Sequence, residues 1–508
     1  MKSKAAQPKK GAKTSFFSSH WWLWLFLTVF LLRIPLLFEP FTYGDEGIYL
    51  TLGQAIRRGL VLYRDIHDNK PPMLYLLAAL AGTFSWYRFL YFLWHLATIF
   101  TFYKLAGILF TQKPQAVILT TSAFAILSSL PLFEGNIANA ENFLLLPTLT
   151  GFYLILRFLG QKIKKHKFSL TWLTAGLLFS LAVLFKVPAI FDFLAILLVC
   201  LLLIKRENFK TWLGDFFSFT AGFLIPLLIT FAYFGFQQAL GQYLQAAFFQ
   251  NLPYLASWGS QTVKVGGLAT GFLLRALLVF IIVLILFLFR QKTNLTLKVI
   301  IIWFATACFA ALLSVRPYPH YLVQVLPPLS LSLGFLFPLK KKSWLKIIPL
   351  GLVTLLVWIF IGFHFWYYPN WAYYRNFYAY FFRLKSRTEY LRYFGQQAPS
   401  LYETASFLRT HTLPEEKIFV WGTEPSLYAL AKRLPVGRYT VSYHIIDFQG
   451  FEETLRALQF QPPRWLVVTP EEKHPFPQLE NLLDQNYFLF KEIGKMKIFY
   501  RLPQIARL

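Results

Sequence analysis

The chain has 508 residues, which by length alone suggests about three soluble domains, yet 56% are hydrophobic, 19% aromatic and only 14% charged. That composition excludes a string of soluble domains and describes a polytopic membrane protein. The formal charge of +27 does not imply nucleic acid, because the bases sit in short clusters between apolar runs and no basic helix or RNA-binding motif is present.

Apolar stretches of about 17 to 25 residues are what a bilayer-spanning helix needs, and about eleven are predicted before residue 368. In chain order they are Trp21 to Phe38, Trp86 to Phe110, Ala116 to Phe133, Phe143 to Leu159, Leu170 to Phe185 and Pro188 to Ile204. Trp212 to Phe234, Leu268 to Phe289, Val299 to Val315, Tyr321 to Pro338 and Leu345 to Tyr367 follow. The first lacks a small-residue cleavage site and reads as an uncleaved anchor behind a basic segment, residues 1–20. Arg33 near its outer end is expected to snorkel to the interface or to meet a lipid phosphate.

Between the first two spans, residues 39–85 form an outer loop too long for a turn. Its part from Gly47 to Gly59 has helical spacing, with Ile48, Leu52, Ala55 and Ile56 on one face and Gln54, Arg57 and Arg58 on another. This predicts an amphipathic helix in the membrane interface. Met73 to Phe84 is apolar but too short to cross.

Basic residues fix the orientation. Lys2, Lys4, Lys9, Lys10 and Lys13 place the N-terminus in the cytoplasm, and alternate connections repeat the signal at Lys113, at Lys162 to Lys167, at Lys205 to Lys210, at Arg290 to Lys298 and at Lys340 to Lys346. Acids are distributed differently. Residues 1–368 contain ten, and seven lie in two outward loops: Glu39, Asp45, Glu46, Asp65 and Asp68 in the first, Glu134 and Glu141 in the second. Acids contribute little to topology, so this asymmetry points to chemistry.

Residues 369–508 contain no spanning segment. Helical patterns at Ser400 to Thr410, Ser426 to Lys432, Phe451 to Leu458 and Gln478 to Gln485 alternate with strand-like runs at Lys417 to Trp421, Trp465 to Thr469, Tyr487 to Ile493 and Lys497 to Tyr500. They predict a small α/β domain on the outer face, without a phosphate-binding glycine loop. The two cysteines, Cys200 and Cys308, lie in apolar segments and make neither a disulfide framework nor a thiolate metal site.

The first outer loop reads Phe41-Thr42-Tyr43-Gly44-Asp45-Glu46-Gly47-Ile48-Tyr49 and continues through Asn69-Lys70-Pro71-Pro72-Met73-Leu74-Tyr75. Glu141-Asn142 opens a helix in the second outer loop, Lys186 ends the fifth span, and Arg316-Pro317-Tyr318-Pro319-His320-Tyr321 precedes the tenth. Together with the run Trp421-Gly422-Thr423-Glu424-Pro425-Ser426-Leu427-Tyr428, this pattern resembles the GT-C membrane glycosyltransferases. The similarity is to the branch of protein O-mannosyltransferases and lipid A aminoarabinose transferases. The resemblance implies a helical transmembrane domain, residues 21–368, with an extracytoplasmic α/β domain, and transfer of a sugar from a polyprenyl-phosphate donor to a lipid, glycan or protein acceptor. A plasma membrane location is expected, with the reaction inverting by analogy.

Such a transfer needs a carboxylate to take the acceptor's proton and cations to hold the departing phosphate. The resemblance makes Asp45 the base, with Glu46 orienting the acceptor or helping to bind a metal; Asp45 is equally suited to cap the following helix. Lys70, Arg316, His320 and Lys186 are the candidates for the donor phosphate, against snorkelling, an interfacial hydrogen bond or a Lys186 to Asp192 pair. Glu141 is a candidate for the acceptor or a divalent ion, or simply a favoured acid at a helix N-terminus. Tyr49 and Tyr75 are expected near the cavity. The metal remains open, since no cluster with metal spacing appears. A flippase or transporter of lipid-linked sugars and a noncatalytic scaffold are the rival functions; both lack an account of the acidic outer loops.

Overall fold

The computed structural model describes residues 20–160, 169–204, 209–250, 271–314, 316–337, 343–470 and 474–503. The N-terminal lysines and the connections at 161–168, 205–208 and 338–342 that orient the chain lie outside the described residues.

The transmembrane part runs through α1 (Trp21–Arg33), α2 (Gly44–Arg57), α3 (Met73–Ala81), α4 (Phe84–Leu109), α5 (Pro114–Leu127), α6 (Ala140–Leu159), α7 (Leu170–Phe185), α8 (Ile190–Leu201), α9 (Phe209–Phe236), α10 (Leu240–Leu244), α11 (Phe272–Leu288), α12 (Leu295–Ala311), α13 (Leu326–Ser332) and α14 (Ile347–Gly362). Four helical stretches are long and apolar enough to cross a bilayer by themselves: α4, α6, α9 and Trp344–Gly362, which contains α14. The other predicted spans are helical but shorter, and proline accounts for several of the breaks. Pro35 turns the end of α1 into a 3-10 segment, Pro188 does the same ahead of α8, Pro319 opens a 3-10 segment that runs into the tenth apolar stretch, and Pro327 and Pro328 lie within that stretch at the start of α13.

Small residues let these helices approach closely. A Cβ at Gly176 of α7 would lie 2.1 Å from the Phe219 carbonyl oxygen, and one at Gly222 of α9 2.0 Å from that of Leu173. These two positions therefore hold the α7 and α9 backbones together.

Arg33 does not snorkel. It is fully buried, donates from Nη1 to the Gly135 carbonyl at 2.8 Å and stacks on Tyr91 at 4.4 Å. The Gly135 carbonyl in the second outer loop, within reach of the end of α1, takes one of its N–H groups, while Nε and Nη2 have no hydrogen-bond partner among the described residues.

After the last apolar helix come α15 (Asn370–Phe381), α16 (Arg387–Arg392), α17 (Ala398–Thr410), β1 (Phe419–Trp421), α18 (Ser426–Ala431), α19 (Ser442–Asp447), α20 (Phe451–Phe460), β2 (Trp465–Val468), α21 (Pro477–Asn486), β3 (Tyr487–Ile493) and β4 (Met496–Arg501). The sheet order is β1-β2-β4-β3, with β1 parallel to β2 and the remaining pairs antiparallel. Alternation along each strand fills two cores. Val420 and Val467 meet Leu401, Leu408 and Leu427 on one face, while Phe419, Trp421 and Leu466 meet Ile445, Leu458 and Leu479 on the other.

The α/β domain sits directly on the first outer loop. Thr51 Oγ1 donates to the Pro425 carbonyl at 3.2 Å, Gln54 to that of Ala429 at 3.0 Å and Arg58 to that of Lys432 at 2.7 Å. A Cβ on Gly47 would stand 2.5 Å from Ser426 Oγ, so glycine is what lets α18 rest on α2. Helix α2 is consequently enclosed largely by protein. Glu46 to Gly53 are all buried, because its polar face is spent on carbonyls of the α/β domain and its apolar face on α3. At Gly53 a Cβ would approach the Ala79 nitrogen to 2.6 Å.

Candidate active site

Asp45 lies in the first turn of α2, where the helix dipole favours a carboxylate. It is not the cap: Tyr43 holds that position, and no side-chain cap bond is made. The Tyr49 hydroxyl, one turn on, donates to Asp45 Oδ2 at 3.0 Å. Lys70 Nζ is 3.5 Å from the same oxygen and 3.7 Å from Asp68 Oδ2. The Asp45 side chain is 28% exposed and that of Lys70 19%, whereas that of Asp68 is 1% exposed.

Asp68 is enclosed by the Tyr75 hydroxyl, which donates at 2.7 Å, by the Asn69 amide at 2.8 Å and by His444 Nε2 at 3.5 Å. Burial works to raise its pKa, but the Lys70 ammonium, the His444 ring and the Tyr75 hydroxyl together outweigh burial and hold it below the ordinary value. The loop is held in shape by Tyr63, whose hydroxyl donates to the Lys70 carbonyl at 2.8 Å. On the far side of Tyr63 and His67 a cavity of about 410 Å³ opens, bounded by Gln242, Gln245 and Arg438.

Glu46 faces elsewhere. Arg88 donates to its Oε2 from Nε at 3.0 Å and from Nη2 at 2.5 Å, and the Ala138 amide donates to Oε1 at 3.0 Å. Arg88 also holds the Glu39 carbonyl at 2.7 Å. Consecutive helical residues point about 100° apart, so the motif's two acids divide into one at the opening and one buried in the clamp that anchors the loop. Glu46 is thus buried and held by the Arg88 guanidinium and the Ala138 amide.

A second charged cluster assembles Glu134, Glu141, Lys186 and His320. Lys186 pairs with Glu141 Oε1 and lies over the Tyr321 ring, 4.0 Å from its centroid. His320 Nδ1 is 2.5 Å from Glu134 Oε2, and its Nε2 is 3.6 Å from Glu141 Oε1. The Tyr43 hydroxyl donates to Glu134 at 2.9 Å, which ties this cluster to the loop that carries Asp45. Lys186 does not pair with Asp192. That acid is buried in α8, accepting from Trp303 Nε1 and Gln324 Nε2 at 2.7 Å each, because a 3-10 turn at Val187–Ala189 separates the two side chains. Arg316 is exposed, at the start of the stretch that leads to His320.

Among the described residues, no group of three or more His, Cys, Asp or Glu side chains is arranged to hold a metal ion. The carboxylates nearest the opening face Lys70, Lys186 and His320 instead. That donor set fits charge pairing rather than a divalent cation, and no step below runs through one.

No family model matches the chain, and no curated protein matches it. Solved structures do. ArnT from Cupriavidus metallidurans bound to undecaprenyl phosphate superposes with a TM-score of 0.56 at 12% identity, over 96% of this chain and 99% of that one. Its apo form gives 0.55 at 12% identity, over 96% and 98%. The chain has the GT-C fold. The Archaeoglobus fulgidus oligosaccharyltransferase in complex with Zn and sulfate aligns over 94% of this chain and 72% of that one, at 15% identity and a TM-score of 0.49. Among the described residues, four helical stretches are long and apolar enough to cross a membrane, in line with a multi-pass membrane protein.

Several site residues of this GT-C chain escaped the sequence. Arg88 gave a signal, an arginine early in an apolar span, and such a charge is a functional or structural marker by default. Asp68 and Glu134 were visible as outer-loop acids without a role. His444 carried no signal at all, since nothing in its neighbourhood pairs it with a loop more than 370 positions earlier.

Proposed function

We propose that the protein is an integral membrane glycosyltransferase that moves a sugar from a polyprenyl-phosphate carrier to a lipid, glycan or protein acceptor on the outer face of the plasma membrane. The observation that carries this reading is the partly open Asp45 carboxylate with Lys70 Nζ 3.5 Å away. A base and a phosphate-binding cation stand side by side at the mouth of a loop roofed by the α/β domain. The likeness in fold to ArnT, solved with undecaprenyl phosphate, supports a lipid-phosphate donor.

In this reading Asp45 takes the proton of the acceptor hydroxyl as its oxygen bonds to the anomeric carbon. The bond from that carbon to the phosphate oxygen breaks on the opposite face, the carrier leaves as polyprenyl phosphate, and the configuration inverts. Lys70 meets the phosphate as a point charge, with Lys186, His320 and Arg316 as further cations along the opening. An arriving phosphate draws the Lys70 ammonium away from Asp45, and a carboxylate released from its cation is the stronger base. The domain division, with a basic inner N-terminus and residues 369–508 outside, belongs to the same proposal. So do the count of about eleven spans and the roles given to these residues.

The test is transfer of labelled sugar from synthetic polyprenyl-phosphate sugars to envelope extract, comparing wild type with Asp45→Asn at equal expression. Wild-type transfer that the variant loses supports the reading. Equal transfer by both removes Asp45 as base, and no transfer with any donor favours a transporter. A reporter fused after Leu508 checks the orientation; a cytoplasmic signal would separate the α/β domain from the proposed reaction face.

A further inference from the structure

Resting on that reading, we propose that the α/β domain completes the reaction site: His444 of α19 is a positioning residue that fixes Asp68 and, through it, holds the Lys70 ammonium beside Asp45.

Asp68 cannot itself meet a substrate, since its side chain is 1% exposed. Its two oxygens face different groups. Oδ2 takes the Tyr75 hydroxyl at 2.7 Å and lies 3.7 Å from Lys70 Nζ, while Oδ1 takes the Asn69 amide at 2.8 Å and faces His444 Nε2 at 3.5 Å. Tyr75, Asn69 and Lys70 all belong to the first outer loop. Among the described residues, His444 is the one that reaches this carboxylate from the other domain, and it is only 2% exposed.

The docking around this contact is specific. The His67 amide donates to the Arg438 carbonyl at 2.9 Å, and the His67 ring packs edge-on to His444 at 5.6 Å and to Phe448 at 4.9 Å. Ser442, at the start of α19, donates its amide to the Gly422 carbonyl at 2.9 Å, so α19 is carried by the loop that leaves β1. That same loop leads into α18, which rests on Gly47. One rigid segment of the α/β domain therefore touches both ends of the reaction loop, α2 with Asp45 at one end and Asp68 at the other. Tyr443, the neighbour of His444, is 37% exposed and within electrostatic reach of Asp45, Asp68 and Tyr318, which puts this segment at the opening.

The protonation of His444 suits positioning. Burial holds its pKa below the ordinary histidine value, against the pull of Asp68. A neutral imidazole 3.5 Å from Asp68 Oδ1 backs the carboxylate without adding a second full charge, so Lys70 keeps it as its counter-ion. A second cation there would loosen Lys70, and an apolar side chain would leave Asp68 Oδ1 underfilled and free to rotate.

The test uses the full-length protein in detergent or reconstituted membranes and the transfer assay above, with KM measured separately for donor and acceptor. His444→Ala is expected to raise the donor KM about tenfold, in the range of coupled neighbours, while the acceptor KM stays put. His444→Gln, whose amide nitrogen falls where Nε2 does, restores the wild-type donor KM; His444→Asn, which places nitrogen near Nδ1, does not. In an Asp68→Asn background, His444→Ala costs nothing further. A wild-type donor KM in His444→Ala overturns the proposal. So does a fall in kcat with both KM values unchanged, the mark of a smaller folded fraction, or a full additional loss on top of Asp68→Asn. Should the alanine variant not fold, the Gln and Asn pair decides: equal donor KM values for the two overturn it. Absence of transfer by the wild type instead fails the underlying reaction, and the positioning role with it.

Discussion

Two clusters of the same make-up face each other across the outer loops: Asp45, Asp68, Lys70 and His444 in one, Glu134, Glu141, Lys186 and His320 in the other. Each holds two acids, one lysine and one histidine, yet they differ in access. Asp45 is 28% exposed, while the Glu134 and Glu141 side chains are 0% and 4% exposed. The second cluster keeps both of its acids enclosed and ties the two outer loops together. The first keeps one carboxylate, that of Asp45, facing open space, while the two lysines are equally accessible, Lys70 at 19% and Lys186 at 18%. Composition therefore does not separate the two clusters; the residual exposure of one carboxylate at a helix N-terminus does.

Substitutions can break that contrast. The largest effect is expected from Asp45→Asn, which removes the base and lowers transfer roughly 10²- to 10⁴-fold with no change in thermal unfolding. Next comes Arg88→Met. It leaves Glu46 buried without its partner, a loss of about 3–5 kcal/mol, visible as a lower unfolding temperature in detergent. A variant that unfolds like wild type would remove the clamp from this account.

The two lysines sharpen the comparison further. Lys70→Ala is expected to raise donor KM by about tenfold or more, in line with a lost charged contact of about 1.5–3 kcal/mol, and Lys186→Ala to raise it less while lowering stability more. The reverse order would place the donor phosphate at the second cluster. Gly47→Ala pushes a methyl into Ser426 and should cost about 1–3 kcal/mol, read as faster proteolytic release of the α/β domain.

The smallest effect concerns pH. Burial lowers the His67 pKa from 6.5 to about 3. The unfolded chain therefore binds a proton that the folded chain does not between those values, so stability present above about 6.5 is lost as pH falls toward 3. His67→Gln should flatten that acid limb of the unfolding curve.

Much of the fold was legible because apolar length and strand alternation are local signals. The strand-like run Tyr487 to Ile493 is β3 residue for residue, and the helical pattern at Phe451 to Leu458 became α20 with two more residues. The helices α15, α16 and α19 were not foreseen; they are short or aromatic and owe their burial to neighbours distant in sequence. At the site, Asp45 and Lys70 were legible from the motif and do meet in space. Arg88 as a clamp, Asp68 as a bridge and His444 were not, because a pairwise contact between distant segments leaves no trace in either segment alone.

By itself the sequence determined that this chain is an apolar, helix-rich protein with a small α/β domain behind it, since bilayer thickness and side-chain periodicity act residue by residue. Only the tertiary structure decided how the adjacent acids Asp45 and Glu46 are placed. A helix turns about 100° per residue, and which side of α2 is open depends on where Arg88 and the α/β domain pack against it. That packing buried Glu46, left Asp45 at the opening, and brought His444 to a loop that no local pattern connects with it.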